Sequence, residues 1–162
     1  MADLENTLYL DAPQGRVTIE LRPDLAPNHV ARIKELTRAG FYDGLKFHRV
    51  IEGFMAQTGD PRGDGTGGSG KKLKAEFNSA NFVRGTAGMA RSNDPDSGDS
   101  QFFICFEPAP FLDGKYTIWG QVTSGMEAID AIKRGQGQSG TVANPDQIVR
   151  MQVAADADKA GQ

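Results

Sequence analysis

The chain lacks most features of disulfide-bonded, secreted or membrane-spanning proteins. It has a single cysteine, Cys105, among 162 residues, so no disulfide can form within it. No apolar run approaches the ~20 residues of a transmembrane helix. Residues 1–6 show neither the basic nor the apolar region of a signal peptide. We therefore expect a cytoplasmic protein without a membrane span, in which Cys105 is a buried, reduced thiol.

A strongly one-signed charge and a cluster of metal-binding residues are also absent. The formal net charge is −3, from 18 basic and 21 acidic residues, which gives no basic face for nucleic acid. The two histidines are far apart, so we expect no metal site and no cofactor. His29 is expected to face solvent from a helix, and His48 to be structural with a hydrogen-bonded partner. The acidic run 94–99 lacks calcium-loop spacing and is predicted to be a solvated turn.

Glycine, by contrast, is abundant. Twenty glycines cluster between short apolar runs, a pattern typical of many turns in a mainly β fold. The apolar patterns predict strands at 7–10, 16–21, 45–51, 55–59, 86–90, 101–105, 117–122 and 147–153. They predict helices from Pro27 to Gly40 and over 126–133. Seven or eight short strands favour a closed antiparallel barrel, because closure leaves no exposed strand edge.

The chain length suits a single domain with one core. We assign the domain to residues 1–162, with its core over about 5–155. The polar residues 156–162 are expected to fray. No heptad repeat and no large exposed apolar segment requires a partner copy, so we expect a monomer.

The most informative segment is 47–60, which reads FHRVIEGFMAQTGD. A loop of three residues, 52–54, would place Arg49 opposite Gln57, on the same face as Met55. A loop of two residues would instead put Arg49 and Gln57 on opposite faces. An apolar slot with two fixed hydrogen-bonding groups suits a proline flanked by peptide carbonyls, so a binding function requires the longer loop.

This segment resembles the central signature of cyclophilins, the peptidyl-prolyl cis-trans isomerases. Further runs resemble the family in the same order, at 65–68 (GTGG), 85–90 (GTAGMA), 100–104 (SQFFI) and 111–115 (FLDGK). The resemblance covers roughly residues 5 to 155. It implies a closed eight-stranded antiparallel β-barrel capped by two α-helices, of a prokaryotic-like cyclophilin type. It also implies an isomerase that acts on proline-containing peptides and on unfolded or partly folded proteins.

The resemblance implies one catalytic residue, Arg49, and no metal. It implies a substrate pocket formed by Phe54, Met55, Gln57, Ala90, Arg91, Gln101, Phe103, Phe111, Leu112 and Tyr116. Strand alternation adds that Gln101 and Phe103 face the site, while Phe102 and Ile104 face the core.

Isomerisation explains why an arginine is useful here. An X–Pro bond rotates over a barrier of ~18–20 kcal/mol, because the nitrogen lone pair is delocalised into the carbonyl. In the twisted amide the lone pair returns to nitrogen, so a charged donor aimed at that atom binds the twisted state better than the planar one. Arg49 keeps its charge near neutral pH and is the candidate donor.

Three positions depart from the family pattern. Phe111 stands where many cyclophilins have tryptophan, so the indole donor used in cyclosporin binding is missing and we expect weak inhibition. Tyr116 occupies a common histidine position, where its hydroxyl can still donate a hydrogen bond to a carbonyl. Arg91 replaces a frequent asparagine that binds substrate partly through its backbone.

Other interpretations of the same residues were weighed. Arg49 alone could be a structural salt-bridge residue. The run 65–71 has the spacing of a phosphate-binding loop, but Lys72 replaces the required hydroxyl residue and no suitable strand and helix flank it. Its glycines are expected to let the loop pass close to the site wall. A proline-peptide binding or chaperone module without turnover is the alternative to an isomerase, although binding alone does not need the Arg49 charge.

Overall fold

The computed structural model describes residues 3–137 and 139–160. Eight strands form one antiparallel sheet. They are β1 (Thr7–Ala12), β2 (Gly15–Leu21), β3 (Arg49–Ile51), β4 (Met55–Thr58), β5 (Thr86–Met89), β6 (Phe102–Cys105), β7 (Ile118–Ser124) and β8 (Arg150–Val153). Their spatial order is β3-β4-β6-β5-β7-β2-β1-β8. The mainly β architecture and all eight strands are therefore confirmed, with shifts at their ends.

The prediction of a closed barrel is wrong, because the eight strands of the described residues form a curled half-barrel. Strands β3 and β8 stand at the two ends of the sheet and do not pair with each other as strands. The segments before them meet instead through one isolated bridge, Lys46 to Gln147. Nearby, the Phe47 N–H donates to the Asp146 carbonyl at 2.9 Å. The sheet is thus curled with an irregular seam, because residues 45–48 do not continue the regular ladder of β3.

Residues 3–137 and 139–160 contain three α-helices rather than the predicted two. They are α1 (Pro27–Arg38), α2 (Met126–Asp130) and α3 (Ala154–Ala160). Helix α2 ends before the predicted limit at Lys133. Helix α3 covers most of the tail that was expected to fray, because Ala154 is fully buried and Asp156 pairs with Arg38 at 2.9 Å. Residues 161–162 lie outside the described residues.

The main apolar core lies inside the curled sheet. It takes alternate residues from β1 and β2, such as Leu8, Leu10 and Ile19, and the inner face of α1. Phe102 and Ile104 belong to this core, whereas Phe103 belongs to a second apolar cluster on the other face of the sheet. The predicted alternation in β6 is therefore confirmed. Trp119 packs edge-on against Phe102 with ring centroids 5.3 Å apart, as expected for a core residue.

The prediction that His29 faces solvent is wrong. Its side chain is 1% exposed, and its Nδ1 lies 2.5 Å from the Glu76 carboxylate. Burial lowers the pKa of His29, although Glu76 acts in the opposite direction. Glu76 also accepts hydrogen bonds from the backbone N–H groups of Asn28 and His29. A carboxylate from a distant loop therefore satisfies the first turn of α1, and the histidine is drawn inward with it.

The sequence-based expectation for Cys105 is confirmed. The thiol is buried in β6, and burial raises its pKa to about 12, so it is not a nucleophile at neutral pH. Within the two described ranges, no group of three or more histidine, cysteine, aspartate or glutamate side chains could hold a metal ion. No helix in the described part of the chain is long and apolar enough to cross a membrane.

Candidate active site

The hairpin of β3 and β4 has the register that the sequence predicted. Arg49 lies opposite Gln57 and Ile51 lies opposite Met55, so the connecting loop is 52–54. Gly53 in this loop has a φ of +75°, a conformation that glycine adopts without strain. Arg49, Met55 and Gln57 consequently line one hollow of about 170 Å³ on the outer face of the sheet.

Arg49 is held by uncharged acceptors. Its Nε donates to the Ser139 carbonyl at 2.9 Å, and its Nη1 donates to Gln57 Oε1 at 3.1 Å. Among residues 3–137 and 139–160 it pairs with no carboxylate. The interpretation of Arg49 as a salt-bridge residue therefore has no support in this part of the chain. Its guanidinium is fixed in orientation while its positive charge is not neutralised by an ion pair.

A chain of amides continues from Arg49 along the site. Gln57 donates from Nε2 to Gln101 Oε1 at 2.9 Å. Gln101 in turn donates to the carbonyls of Gly65 and Gly67 at 3.0 and 2.9 Å. Each amide therefore has its oxygen and nitrogen assigned by a neighbour, which holds the polar wall of the hollow in one arrangement.

The floor of the hollow is apolar. Met55, Phe103 and Leu112 are each less than a tenth exposed and belong to the second apolar cluster. Phe54 and Ala90 are partly buried against the same cluster, and both line the hollow. This surface offers a dry contact for a small aliphatic ring.

Phe82 and Gly88 support this floor and were not singled out from the sequence. The Phe82 ring stacks on Phe103 with centroids 5.8 Å apart. A Cβ on Gly88 would lie 2.7 Å from Phe82 and 2.9 Å from Phe103, so only glycine at this position of β5 leaves room for both rings. In the sequence, a glycine inside an otherwise apolar strand pattern could have indicated that neighbouring side chains pack closely against Gly88.

The remaining predicted residues lie at the edge of the hollow. Arg91 and Tyr116 line it, and the Arg91 guanidinium carbon lies 4.6 Å from the centre of the Tyr116 ring. Arg91 also donates from Nε and Nη2 to the Lys115 carbonyl. Phe111 is 61% exposed and does not line the hollow, but its ring lies 5.4 Å from that of Phe54. Gln101 lines a second, adjoining hollow.

The glycine-rich loop forms a wall of the second hollow, which has a volume of about 370 Å³. Asp60 is buried at the base of this loop, and its carboxylate accepts from the backbone N–H groups of Arg62, Asp64 and Gly65. Burial tends to raise the pKa of Asp60, but these backbone donors outweigh it and lower the pKa. A Cβ on Gly67 would clash with the Asp60 carboxylate. The loop thus encloses a carboxylate of the chain itself, which argues against a phosphate site and agrees with a close approach to the site wall.

The sequence predicted a solvated turn for the acidic run 94–99, but two of its carboxylates also hold neighbouring segments of the chain. Asp99 accepts from the Ser69 backbone N–H at 2.8 Å and from Gly70 at 3.1 Å. Asp96 accepts from the backbone of Ala75 at 2.9 Å. These two carboxylates fasten the glycine-rich loop and the segment after it to the opposite side of the second hollow.

His48 has no hydrogen-bond partner in the described part of the chain, contrary to the expected bonded histidine. Its side chain is 7% exposed, and neither ring nitrogen is hydrogen-bonded there. Burial lowers its pKa, and the nearby Asp60 acts in the opposite direction. Burial therefore favours the neutral form of the ring beside the Asp60 loop.

Comparison with known proteins agrees with this geometry. A family model described as cyclophilin type peptidyl-prolyl cis-trans isomerase matches residues 7–153. A probable peptidyl-prolyl cis-trans isomerase of Brucella suis is 54% identical over 168 residues, covering 96% of this chain and 86% of the relative. Peptidyl-prolyl cis-trans isomerase B of Bacillus subtilis is 46% identical over 123 residues, covering 75% of this chain and 85% of the relative.

Solved cyclophilin structures share the fold. A cyclophilin from Hirschia baltica superposes with a TM-score of 0.86 at 29% identity, covering 96% of this chain and 76% of that chain. A cyclophilin-type isomerase of Cryptosporidium parvum, crystallised in the presence of the dipeptide Ala-Pro, gives a TM-score of 0.84 at 27% identity over 91% of this chain and 98% of that chain. The hairpin register, the fold and these matches agree, and the chain belongs to the cyclophilin-type peptidyl-prolyl cis-trans isomerases.

Proposed function

We propose that this isomerase accelerates rotation about X–Pro bonds by placing the proline ring on the Met55, Phe103 and Leu112 floor and the Arg49 guanidinium beside the imide nitrogen. Two of the Arg49 nitrogens are held by Ser139 and Gln57. That orientation exists before substrate binds, so little reorganisation is needed as the amide twists. The absence of an ion-pair partner for Arg49 in the described residues is the observation that carries the proposal.

Arg49 cannot account for the whole rate. One charge-assisted hydrogen bond contributes about 1.5–3 kcal/mol, which is roughly ten- to a hundredfold at 1.36 kcal/mol per decade. The remainder is assigned to the shielded apolar floor and to the hydrogen bonds that the Gln57 amide and the Arg91 backbone N–H offer to the flanking carbonyls. Phe54, Gln101, Phe111 and Tyr116 complete the proposed binding surface.

The proposed substrates are proline-containing peptides and unfolded or partly folded proteins, with the enzyme acting as a cytoplasmic folding catalyst. The relative that was crystallised with Ala-Pro supports a proline ligand. The lone, buried Cys105 is compatible with a reducing compartment. We also propose one domain, 1–162, which the family match over residues 7–153 supports, and we propose that it acts as a monomer.

The proposal is tested with a protease-coupled assay on a chromogenic X–Pro peptide. The purified chain is expected to accelerate cis-to-trans conversion in proportion to its concentration. Peptide binding without any acceleration would show a proline-binding module and would refute the catalytic proposal. A mixture lacking the chain controls for the uncatalysed exchange, which takes tens to hundreds of seconds.

Stability is expected to fall when the pH drops below about 6.5, while the rate stays flat between about pH 6 and 8. Burial lowers the folded-state pKa of His29 and His48 from 6.5, so each contributes stability that is present above 6.5 and lost as the pH falls through the folded pKa. Carboxylates with lowered pKa, such as Asp60 and Glu76, add a further loss only below about pH 4.5. Urea unfolding at pH 8, 7, 6 and 5 measures the first effect.

The matched variant for this prediction is His48→Gln, which removes one titrating group. Its free energy of unfolding should depend less steeply on pH between 6.5 and 5 than that of the unaltered chain. Identical slopes would contradict the assignment of His48. A bell-shaped profile of kcat against pH would contradict the catalytic proposal, because no titrating base is part of it.

Cyclosporin is expected to inhibit weakly. Phe111 is exposed at the edge of the hollow and offers no N–H donor where many family members carry an indole. Phe111→Trp restores a donor at that position and should strengthen inhibition roughly tenfold, since one neutral hydrogen bond contributes about 0.5–1.5 kcal/mol. An inhibition constant in the nanomolar range for the unaltered chain would contradict this prediction.

A further inference from the structure

A cationic surface leads away from the proline hollow. The second hollow shares Gln57, Ala90 and Arg91 with the first, so a chain seated on the apolar floor extends into it. Lys72 lines the second hollow and also a third one, of about 330 Å³, between the first turns of α1 and residues 71–74. Lys71 and Lys74 line this third hollow as well. The three hollows are therefore connected through Arg91 and Lys72.

The cations of this surface are not neutralised by ion pairs in the described part of the chain. Lys71, Lys72 and Lys74 are exposed and form no salt bridge with residues 3–137 or 139–160. Arg91 donates to the carbonyls of Lys115 and Ser92 and to no carboxylate. Four positive charges consequently follow one another along the surface. We name Arg91, Lys71, Lys72 and Lys74 the basic track.

The acidic residues next to the basic track accept hydrogen bonds from groups of the chain itself, although among the described residues only Glu35 is paired with a cation. Asp99 lines the second hollow, but it accepts from the Ser69 hydroxyl and from two backbone N–H groups. Glu35 lines the third hollow and pairs with Arg32. Asp96 accepts from the backbone of Ala75. The net charge of the chain is −3, so the basic track is a local feature and not a consequence of overall charge.

The lysines are displayed by a fixed backbone. Leu73 is buried between them, and its N–H donates to the Gly98 carbonyl at 2.6 Å. Residues on either side of an inward side chain in an extended segment point the other way, and both Lys72 and Lys74 are exposed. Anchoring of Leu73 therefore fixes the backbone from which the two lysine side chains extend into solvent.

We propose that the basic track selects proline-containing chains that carry acidic residues next to the proline. This proposal rests on the proposed function, because the proline must occupy the first hollow for its neighbours to reach Lys72. A polypeptide with glutamate or aspartate beside the proline fits both features at once, the apolar floor and the cations. A single ion pair at an exposed surface is weak. The basic track therefore gives a preference for acidic peptides and not an absolute requirement for them.

The test compares three X–Pro peptides that differ only in two flanking positions, occupied by Glu, Gln or Lys. The two varied positions lie upstream of the proline in one set of peptides and downstream of it in another. In at least one set we expect kcat/KM for the Glu peptide to exceed that for the Gln peptide roughly two- to thirtyfold, since each of its two exposed ion pairs changes the ratio about 1.4- to fivefold. The Lys peptide should be the poorest. The preference should shrink between about 0.02 M and about 0.5 M salt, as the Debye length falls.

The decisive variant is the triple substitution Lys71→Gln, Lys72→Gln and Lys74→Gln. It should bring the ratio of kcat/KM for the Glu peptide to kcat/KM for the Gln peptide close to one. The control is Arg150→Gln, which removes an exposed cation on β8, a strand that lines neither hollow, and should keep the ratio. Equal kcat/KM for Glu and Gln peptides in the unaltered chain overturns the proposal. A preference that survives the triple substitution overturns it as well.

Failure of the proposed function has a different signature. If the chain accelerates no peptide, the same fluorescently labelled peptides are compared by anisotropy for their binding. Tighter binding of the Glu peptide that is lost in the triple variant supports the basic track, even though catalysis is absent. Equal isomerisation of all peptides leaves the proposed function intact and refutes the basic track alone.

Discussion

Arg49→Ala is expected to lower kcat for X–Pro isomerisation roughly ten- to a hundredfold, the contribution of one charge-assisted hydrogen bond. The affinity for the ground-state peptide should change much less, because the planar imide nitrogen is a poor acceptor. The physical reason is that Arg49 is held by Ser139 and Gln57 and carries no carboxylate partner in the described residues. The protease-coupled assay over a range of peptide concentrations separates kcat from KM.

Two further variants make this prediction specific. Arg49→Lys keeps the positive charge but loses the planar fork that contacts Ser139 and Gln57 together, so its kcat should remain well below that of the unaltered chain. Arg150→Gln removes a cation outside the hollow and should leave kcat unchanged. Equal losses in kcat and in peptide affinity for Arg49→Ala would mean uniform binding rather than stabilisation of the twisted state. Circular dichroism checks that each variant is folded.

Asp60→Ala is expected to destabilise the fold by about 3–5 kcal/mol, because three partly buried backbone hydrogen bonds to a charged acceptor are lost, each worth about 1.5–3 kcal/mol when shielded from water. Those donors belong to Arg62, Asp64 and Gly65 of the glycine-rich loop. For a domain of this size the loss corresponds to a fall in Tm of roughly 6–20 °C. Differential scanning calorimetry measures it. Peptide affinity should fall too, because Gln101 donates to the carbonyls of the same loop.

Asp64→Asn is the matched control for this second prediction. Asp64 lies in the same loop but is exposed, and it accepts only from its near neighbour Thr66. Its substitution should change Tm by no more than a degree or two, within the range of surface substitutions. Asp60→Asn keeps the size of the side chain and one acceptor oxygen, so its Tm should lie between those of Asp60→Ala and Asp64→Asn. A Tm for Asp60→Ala equal to that of Asp64→Asn would show that the buried carboxylate does not hold the loop.

Local sequence patterns predicted the register of the hairpin of β3 and β4 correctly. Side chains alternate across a strand, so the requirement that Arg49, Met55 and Gln57 share one face left only a three-residue loop, and the structure has it. The same alternation correctly separated Phe103 from Phe102 in β6. The roles of these residues in catalysis and binding remain predictions for the experiments above.

Local sequence patterns gave wrong predictions where the neighbours of a side chain belong to distant segments of the chain. His29 has the position of a solvent-facing helix residue, but Glu76, 47 residues away, caps that helix and encloses the ring. His48 was assigned a partner that the described structure does not provide. Residues 154–160 form a helix whose first residue, Ala154, is fully buried and whose Asp156 pairs with Arg38, 118 residues away. None of these partners is visible in a local window.

Spacing along a few residues was enough to predict the strand alternation and the placement of Arg49 opposite Gln57, whereas the apolar floor residues were predicted from the resemblance to cyclophilins. Only the tertiary structure decided how the sheet curls to its irregular seam, how Phe82 and Gly88 support Phe103, and how Lys72 comes to lie between two hollows. The physical reason is that burial and hydrogen-bond partners depend on which distant segments meet, and that is settled by packing of the whole chain.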